Sequence, residues 1–290
     1  MKKRLFFLLG AMIMIAGGAF IGVPSVRAEE SPVKADIKTR MINESDVDKM
    51  AGNLEVVESG FGVSYESKML DPLPLTLSFD YQRMDMDNDG IPVDLPSHMQ
   101  GWSVGIGTKF PVPLMESDQH YLGVDVYPSM YTEDLKWDSG AFRIPVRLYW
   151  IYKYSEDLLF IAGATVRGGY DTPVLPIIGF NYKASDRLNF NLASSEPNVT
   201  YKLDDRTTAL VEFDGKMEEY EVAHETDRSV ILKYRSASAG VGIKYATCPY
   251  SELLLSFGGV FGRQLKYEDD SAKVEPDAGL YGKIKFSLKF

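Results

Sequence analysis

The sequence has a single cysteine, Cys248, and only three histidines in 290 residues. One cysteine excludes a disulfide framework and a cysteine-based zinc site. The histidines, His98, His120 and His224, lie far apart without the spacing of metal ligands, and no Gly-x-Ser-x-Gly motif accompanies them. We therefore expect neither a histidine metal site nor an enzyme.

Basic residues are also scarce, because 31 Lys and Arg stand against 41 Asp and Glu, for a formal net charge of -10. Nucleic-acid-binding proteins normally present a basic surface, so we expect no nucleic-acid partner. The residues that are abundant are glycine, tyrosine and phenylalanine, with 25, 17 and 15 copies. The mean hydropathy is nevertheless only -0.15, which is typical of a soluble protein.

The first 28 residues predict a secretory signal peptide. A basic start at residues 2–4 precedes an apolar run over residues 5–23, and Val26-Arg27-Ala28 supplies a small-x-small cleavage pattern. The length of the run also allows an uncleaved membrane anchor. The helix-breaking glycines and proline near its end favour cleavage. We therefore expect export, removal of residues 1–28, and a mature domain over residues 29–290.

Beyond the signal peptide, apolar residues alternate with polar or small ones instead of recurring at helical spacing. Because side chains flip face at each residue of a strand, this pattern predicts half-buried strands. No segment predicts an amphipathic helix, and none has the roughly twenty apolar residues of a membrane-spanning helix. The alternating segments are 33–41, 54–66, 75–82, 102–110, 122–127, 142–152, 158–167, 174–183, 188–192, 199–203, 208–216, 230–245, 253–265 and 280–290.

The polar faces of these strands distinguish a soluble sandwich from a membrane barrel. In a sandwich the polar face meets bulk water. In an outer-membrane barrel the apolar face meets lipid and the polar face lines the lumen. Here the polar faces combine glycine, tyrosine and charges of both signs in the middle of long strands, which favours a confined lumen. The candidate lumen charges are Asp80, Asp125, Arg143, Arg147 and Arg167.

The C-terminal segment alternates without a fault and ends on phenylalanine. Ile284, Phe286, Leu288 and Phe290 share one face, and polar residues separate them. This segment is similar to the C-terminal signal that the barrel-assembly machinery reads in bacterial outer-membrane proteins. Together with the signal peptide, it predicts a β-barrel in the outer membrane of a Gram-negative bacterium. Its expected partners are that machinery, outer-membrane lipid and lipopolysaccharide.

The links between the segments are alternately short and long, as an antiparallel up-and-down barrel requires. Counting back from Phe290 to residues 33–41 gives an all-β transmembrane barrel of about fourteen strands, an even number as in other bacterial barrels. If the pieces 188–192 and 199–203 are only a bent connection, the count falls to about twelve. The acidic segment 217–227 is expected to be a solvated outside loop.

Two runs resemble an uncharacterised family of bacterial outer-membrane proteins, DUF6268. Residues 176–188 contain Pro-x-x-Gly-x-x-Tyr followed by Ser-Asp-Arg-Leu, and residues 197–205 contain Pro-x-x-x-Tyr-x-Leu-x-Asp. The resemblance covers most of the mature chain. It implies a barrel topology and adds no chemistry, because these motifs consist of turn and strand residues.

One acidic segment resembles the opening of a calcium loop. Asp85, Asp87 and Asp89 stand at alternate positions before Gly90, but Pro96 occupies the position where such a loop needs a bidentate glutamate. One interpretation is a Ca²⁺ site in an outside loop over residues 84–98, where divalent ions bridge lipopolysaccharide. The other is a polar turn. The sequence predicts no other cofactor.

Two functions remain open on these observations. About fourteen strands leave room for a lumen, and charges of both signs within it would set selectivity, so we expect a porin-like channel for small solutes. The alternative is a non-transporting structural or surface barrel whose lumen is filled by its own side chains. Uptake of hydrophobic ligands through a lateral opening usually involves an N-terminal plug, and residues 29–32 are too few for one.

Overall fold

The computed structural model describes residues 32–67, 74–112, 119–134, 140–194, 196–224 and 228–290. The predicted signal peptide lies outside these residues. The described chain consists of antiparallel strands joined by turns, as the alternation predicts. Within it, no helix is long and apolar enough to cross a membrane.

Fourteen strands form one closed ring, in which each strand pairs antiparallel with the next and the last pairs with the first. Three of the strands consist of two segments separated by a short break. The strands are β1 (Val33–Asp46), β2 (Asn53–Ser67), β3 (Leu75–Asp89), β4 (His98–Pro111), β5 (His120–Val126 and Ser129–Thr132), β6 (Phe142–Arg143 and Val146–Lys153), β7 (Leu158–Val166), β8 (Val174–Lys183), β9 (Leu188–Asn191), β10 (Asn198–Lys202), β11 (Thr207–His224), β12 (Arg228–Cys248), β13 (Ser251–Tyr267) and β14 (Lys273–Val274 and Gly279–Lys289).

Proline accounts for the three breaks. Pro128, Pro145 and Pro276 lie within the interruptions of β5, β6 and β14, and proline has no N–H to donate to a neighbouring strand. Pairing resumes beyond each break, so the ring stays continuous. The short strands β9 and β10 pair on both sides and are full members of the ring, which confirms fourteen strands rather than twelve.

The two ends of the barrel differ. Both termini of the ring lie at one end, here named the near end, where Phe290 N donates to Val33 O at 2.9 Å. The opposite end is named the far end. The outer surface between them carries exposed apolar side chains, such as Ile178 at 85% and Leu280 at 70% exposure. An apolar band of this kind is what the hydrocarbon core of a membrane requires of a barrel.

Three tight turns at the near end share one design. Ser155, Ser185 and Asp204 begin the turns between β6 and β7, β8 and β9, and β10 and β11. The side-chain oxygen of each accepts a hydrogen bond from the backbone N–H two residues further along the chain. This local hydrogen bond takes the place of a backbone hydrogen bond between strands, so the chain reverses direction within a few residues.

Replacement of Asp204 by alanine is expected to lower the thermal midpoint at neutral pH. The backbone N–H of Arg206 and the hydrogen bonds to Thr207 stabilise the carboxylate and hold the pKa of Asp204 below its usual 3.8. A lowered pKa gives stability that is complete above the usual value and is lost as pH falls through the folded-state value. The midpoint difference between wild type and Asp204→Ala should therefore shrink on acidification. Asp205→Ala is the control, because Asp205 only pairs with Lys202 on the surface.

The strands extend beyond the apolar band at the far end and pack on one another there. The extensions of β1 to β4 face those of β11 to β14, and a set of buried side chains fills the space between them. We name this set the cap core. Its members are Ile42, Val47, Leu54, Val56, Met84, Met86, Leu95, Met99, Tyr220, Val222, Leu232, Tyr234, Val260, Leu265, Tyr267, Val274 and Tyr281.

The far-end extensions correct two expectations about loops. β3 continues to Asp89 and β11 continues to His224, whereas the sequence predicts outside loops from residues 84 and 217. Charged residues interrupt the apolar pattern in both segments. Cross-strand hydrogen bonding nevertheless continues through them, because the opposite faces of these strands contribute Met84, Met86, Tyr220 and Val222 to the cap core.

Candidate functional site in the barrel interior

The far half of β11 leaves the wall and leans across the barrel. Its inward side chains contact one strand after another in the order β14, β1, β2 and β3, and its backbone finally pairs with Thr132 of β5. Its backbone nevertheless stays paired with β12 along its whole length. We name the residues that make these contacts the crossing ladder. They are Glu212, Asp214, Lys216, Glu218 and Glu221.

Glu212 makes the first rung with three partners on β13 and β14. Its Oε1 accepts from the Ser256 hydroxyl at 2.7 Å and from the Tyr281 hydroxyl at 2.9 Å. Its Oε2 lies 2.5 Å from Lys283 Nζ. A buried carboxylate is costly unless it is paired and hydrogen-bonded, and here both oxygens are engaged.

The middle rungs form a cluster of four charges. Arg40 Nη1 lies 3.4 Å from Asp214 Oδ2 and 3.6 Å from Glu58 Oε2, and Lys216 Nζ lies 2.7 Å from that same Glu58 oxygen. The Arg40 guanidinium also lies over the Tyr281 ring, 4.1 Å from its centre. Arg40 and Glu58 are only 6% and 9% exposed, whereas the Asp214 side chain is 37% exposed and lines the central cavity.

The upper rungs reach the opposite wall of the barrel, at β3. Gln82 Nε2 donates to Glu218 Oε1 at 2.8 Å and to the Tyr220 hydroxyl oxygen at 2.9 Å. The Tyr220 hydroxyl donates to Glu218 Oε2 at 2.5 Å. Beyond it, Glu133 N donates to Glu221 O at 2.9 Å. The crossing ladder therefore divides the far half of the lumen into the part filled by the cap core and a remaining part beside β5 to β8.

A second element narrows the interior below the ladder. The link between β9 and β10, described at residues 192–194 and 196–197, folds inward, and its backbone lies against Gly179 of β8 at a point where a Cβ atom would have no room. We name it the inner segment. Glu196 reaches across the lumen to Lys285 Nζ at 2.8 Å and Lys38 Nζ at 3.5 Å. The inner segment is thus tied to β1 and β14.

Two cavities lie on either side of the inner segment. The central cavity has a volume of about 970 Å³ and is lined by the crossing-ladder residues of 212–218 and by charged residues of β1 to β3, β12 and β14. The second cavity has about 530 Å³ and lies among β4, β6, β7 and β8. Ser194 lines both. The interior is therefore a constricted, charge-lined lumen.

The candidate lumen charges fall into separate groups. Asp80 and Arg167 line the central cavity, and Arg167 Nη1 donates to Met217 O at 2.8 Å. Arg147 lines the second cavity, and its Nη1 lies 3.8 Å from Asp125 Oδ2. Arg143 lies nearer the far end and donates to backbone carbonyls there, including Phe142 O at 3.1 Å. The five residues do not form one cluster.

The candidate calcium residues lie on a strand and not in a loop. Asp85, Asp87 and Asp89 belong to β3, where alternate residues are about 7 Å apart along one face. The Asp85 carboxylate already accepts two hydrogen bonds from the Arg83 guanidinium at 2.8 and 2.9 Å. Among the described residues, no group of three or more acidic, histidine or cysteine side chains is placed to hold a metal ion.

The sequence reasoning missed the crossing ladder. The sequence did contain an indication of it, because the alternation of β11 continues through residues 217–222. Glu218, Tyr220 and Val222 form one face there, and Met217, Glu219 and Glu221 form the other. We interpreted the glutamates as a solvated run, whereas Glu218 and Glu221 are partly or fully buried and make interior contacts.

A closed ring of fourteen antiparallel strands with an apolar outer band and a charged interior defines an outer-membrane β-barrel. Residues 59–275 match the family model DUF6268, a domain of unknown function, and the chain belongs to that family. No curated protein matches it.

Solved structures that are similar to this chain include outer-membrane channels and porins. The COG4313 outer membrane channel from Pseudomonas putida F1 has 10% sequence identity and a TM-score of 0.50, over 93% of this chain and 100% of that one. The KdgM porin has 9% identity and a TM-score of 0.38, over 88% and 99%. A mutant of the TodX monoaromatic hydrocarbon channel has 9% identity and a TM-score of 0.42, over 93% and 95%. At these identities the likeness is one of fold alone.

Proposed function

We propose that this protein is a porin-like channel for small solutes in the outer membrane of a Gram-negative bacterium. The observation that supports it is the charge-lined central cavity of about 970 Å³, which meets the second cavity at the inner segment. Rings or clusters of charged side chains at such a constriction set the selectivity of a pore. Conductance steps in planar bilayers, from purified protein that shows heat-modifiable migration, are the direct test.

Replacement of Glu196 by glutamine is expected to shift the reversal potential in a salt gradient toward anion selectivity. The change removes the carboxylate that pairs with Lys38 and Lys285, so Lys38 loses its partner on the inner segment and Lys285 keeps only Asp36, at 4.0 Å. Glu156→Gln is the matched control, because Glu156 is exposed in a near-end turn and does not line either cavity. An unchanged reversal potential in a conducting Glu196→Gln variant would contradict the role of the inner segment.

The crossing ladder favours a second candidate function, a non-transporting structural or surface barrel. Its rungs join β11 to β14, β1, β2 and β3 through buried contacts, and the cap core fills the space behind them. A barrel of this kind gives no conductance steps although it is folded and inserted. The same bilayer recordings therefore separate the two functions.

A further inference from the structure

Two adjacent strands of the barrel wall, β9 and β10, are much shorter than the others. β9 and β10 have only four and five residues, and they pair with β8 and β11 at the near end alone. Their link, the inner segment, bonds to the wall at its two ends, where Leu192 N donates to Phe180 O and Phe213 N donates to Pro197 O, and it folds into the lumen between them. Above it, β8 has residues 174–179 and β11 has residues 213–217, with no strand between them among the described residues.

The resulting opening is framed on all sides. We name it the wall gap, bounded by residues 174–179, residues 213–217, the inner segment below and residues 167–172 above. The upper frame is held by Arg167 Nη1, which donates to Met217 O at 2.8 Å, and by Asp171 N, which donates to Glu219 Oε1 at 2.9 Å. These bonds fix the gap as a feature of the folded barrel.

The central cavity borders the wall gap. Phe213, Gly215 and Met217 have the outward phase of β11, since they alternate with the inward ladder residues of 212–218, yet all three line this cavity together with Leu175 of β8. A Cβ atom added at Gly215 would meet no heavy atom within 4 Å, so open space lies in front of it. The exposed apolar side chains of Val174 and Ile178 stand beside the gap, which places it within the apolar band.

Hydrogen-bonding groups without partners lie deeper in the same cavity. Arg40 Nε and Nη2 are buried donors, Glu58 Oε1 is a buried acceptor, and the Ser194 hydroxyl is also buried and unpartnered among the described residues. Leaving such groups unpaired costs about 1–3 kcal/mol each, so a ligand that supplies both acceptors and donors is favoured there. An apolar entrance leading to a polar interior is complementary to an amphiphile.

We propose that the wall gap and the central cavity bind a single-chain amphiphile with a zwitterionic headgroup that carries ammonium N–H donors. The chain lies in the wall gap toward the lipid, and its anionic group accepts from Arg40 while its ammonium group donates to Glu58. No N-terminal plug is needed, because the crossing ladder and cap core occupy the far half of the barrel. The binding does not rest on the small-solute conduction proposed above.

Photo-crosslinking tests this binding directly. The full mature chain is reconstituted in phosphatidylcholine vesicles with a lysophosphatidylethanolamine that carries a diazirine in its acyl chain, and labelled residues are mapped by mass spectrometry. The expected labels lie on Leu175, Met217 and their neighbours, and unlabelled lysophosphatidylethanolamine removes them. Labels spread evenly over the outer surface, without competition, would overturn the proposal.

Matched glycine variants make the test specific. Gly215→Trp should fill the wall gap and lower the labelling by about tenfold, the change that accompanies a tenfold weaker affinity. Gly282→Trp is the control, because a Cβ atom at Gly282 also meets open space but lies on β14, away from the gap. Equal labelling of the two variants would contradict the assignment. Leu175→Trp gives the same comparison from the β8 side if Gly215→Trp fails to fold.

Competing amphiphiles test the headgroup. Lysophosphatidylcholine keeps the charges but has no N–H donors, and oleate has no ammonium group at all. Both should compete for the site at least about tenfold less well than lysophosphatidylethanolamine. Equal competition by either one would overturn the headgroup assignment. Bilayer recordings of the same protein, which report small-solute conduction, are independent of these outcomes.

Discussion

Replacement of Glu58 by alanine is expected to lower the free energy of unfolding by about 3–5 kcal/mol, the usual cost of removing one partner from a buried ion pair. The change leaves Lys216 and Arg40 without their shared carboxylate. Coulomb repulsion between the two cations then opposes the approach of β11 to β1 and β2. The loss is measured by denaturant unfolding of the detergent-solubilised barrel, followed by heat-modifiable migration.

The matched control is Glu66→Ala on the same strand. Glu66 is exposed near the near end, and an exposed glutamate without buried partners contributes little to stability, within about 0.5 kcal/mol. A double-mutant cycle of Glu58→Ala with Lys216→Met isolates the coupling between the two side chains. If Glu58→Ala costs no more than Glu66→Ala, the cluster does not hold β11 across the lumen.

The second large effect is expected from Gly101→Val, which should destabilise the barrel by about 1–3 kcal/mol through overpacking. A Cβ atom at Gly101 would collide with the Tyr131 ring, which lies flat on this glycine. Tyr131 in turn packs edge-to-face on Tyr220 of β11, with ring centres 5.6 Å apart. Moving Tyr131 therefore disturbs the far end of the crossing ladder as well as the local packing.

Gly282→Val is the control for Gly101→Val. Its added side chain meets open space on the outer surface of β14, and valine suits an exposed strand position better than glycine does. Unfolding midpoints of the two variants should differ clearly, with Gly101→Val the less stable. Similar midpoints would show that Tyr131 moves aside without cost and that the glycine is not a packing requirement.

The Gly101–Tyr131 contact is one of several that explain the composition. Tyr127 lies against Gly105, Tyr149 lies against Gly123, and Tyr281 lies against Gly240 and Gly258. In each case the ring occupies the volume that a side chain at the glycine would need. The joint abundance of glycine and tyrosine thus reflects interior packing, whereas none of the described phenylalanines is buried, and Phe257 and Phe261 are exposed on the outer surface.

The fold was predictable because alternation is a local property of the chain. Segments such as 102–110 and 142–152 display their two faces without reference to any other part of the sequence. The partners of the crossing ladder are not local. Gln82 and Glu218 are 136 residues apart, and Arg40 and Asp214 are 174 apart. No pattern within residues 212–221 indicates which strands its charges will meet.

The wall gap was unpredictable for a related reason. The brevity of β9 and β10 is visible in the sequence, and it led us to consider twelve strands as well as fourteen. What the opening becomes depends on where the neighbouring strands go, and β11 leans inward where its side chains pair with β1 to β3. The short strands and the crossing ladder are therefore parts of one arrangement.

The crossing ladder also holds together the first and last strands of the barrel. The seam of the barrel, where β1 meets β14, is closed by backbone hydrogen bonds between the first and last strands of the chain. β11 binds both sides of that seam from within, through Glu212 to Lys283 and through Asp214 to Arg40. It acts as an internal strap, so the seam cannot part at these strands without also breaking the strap's buried ion pairs.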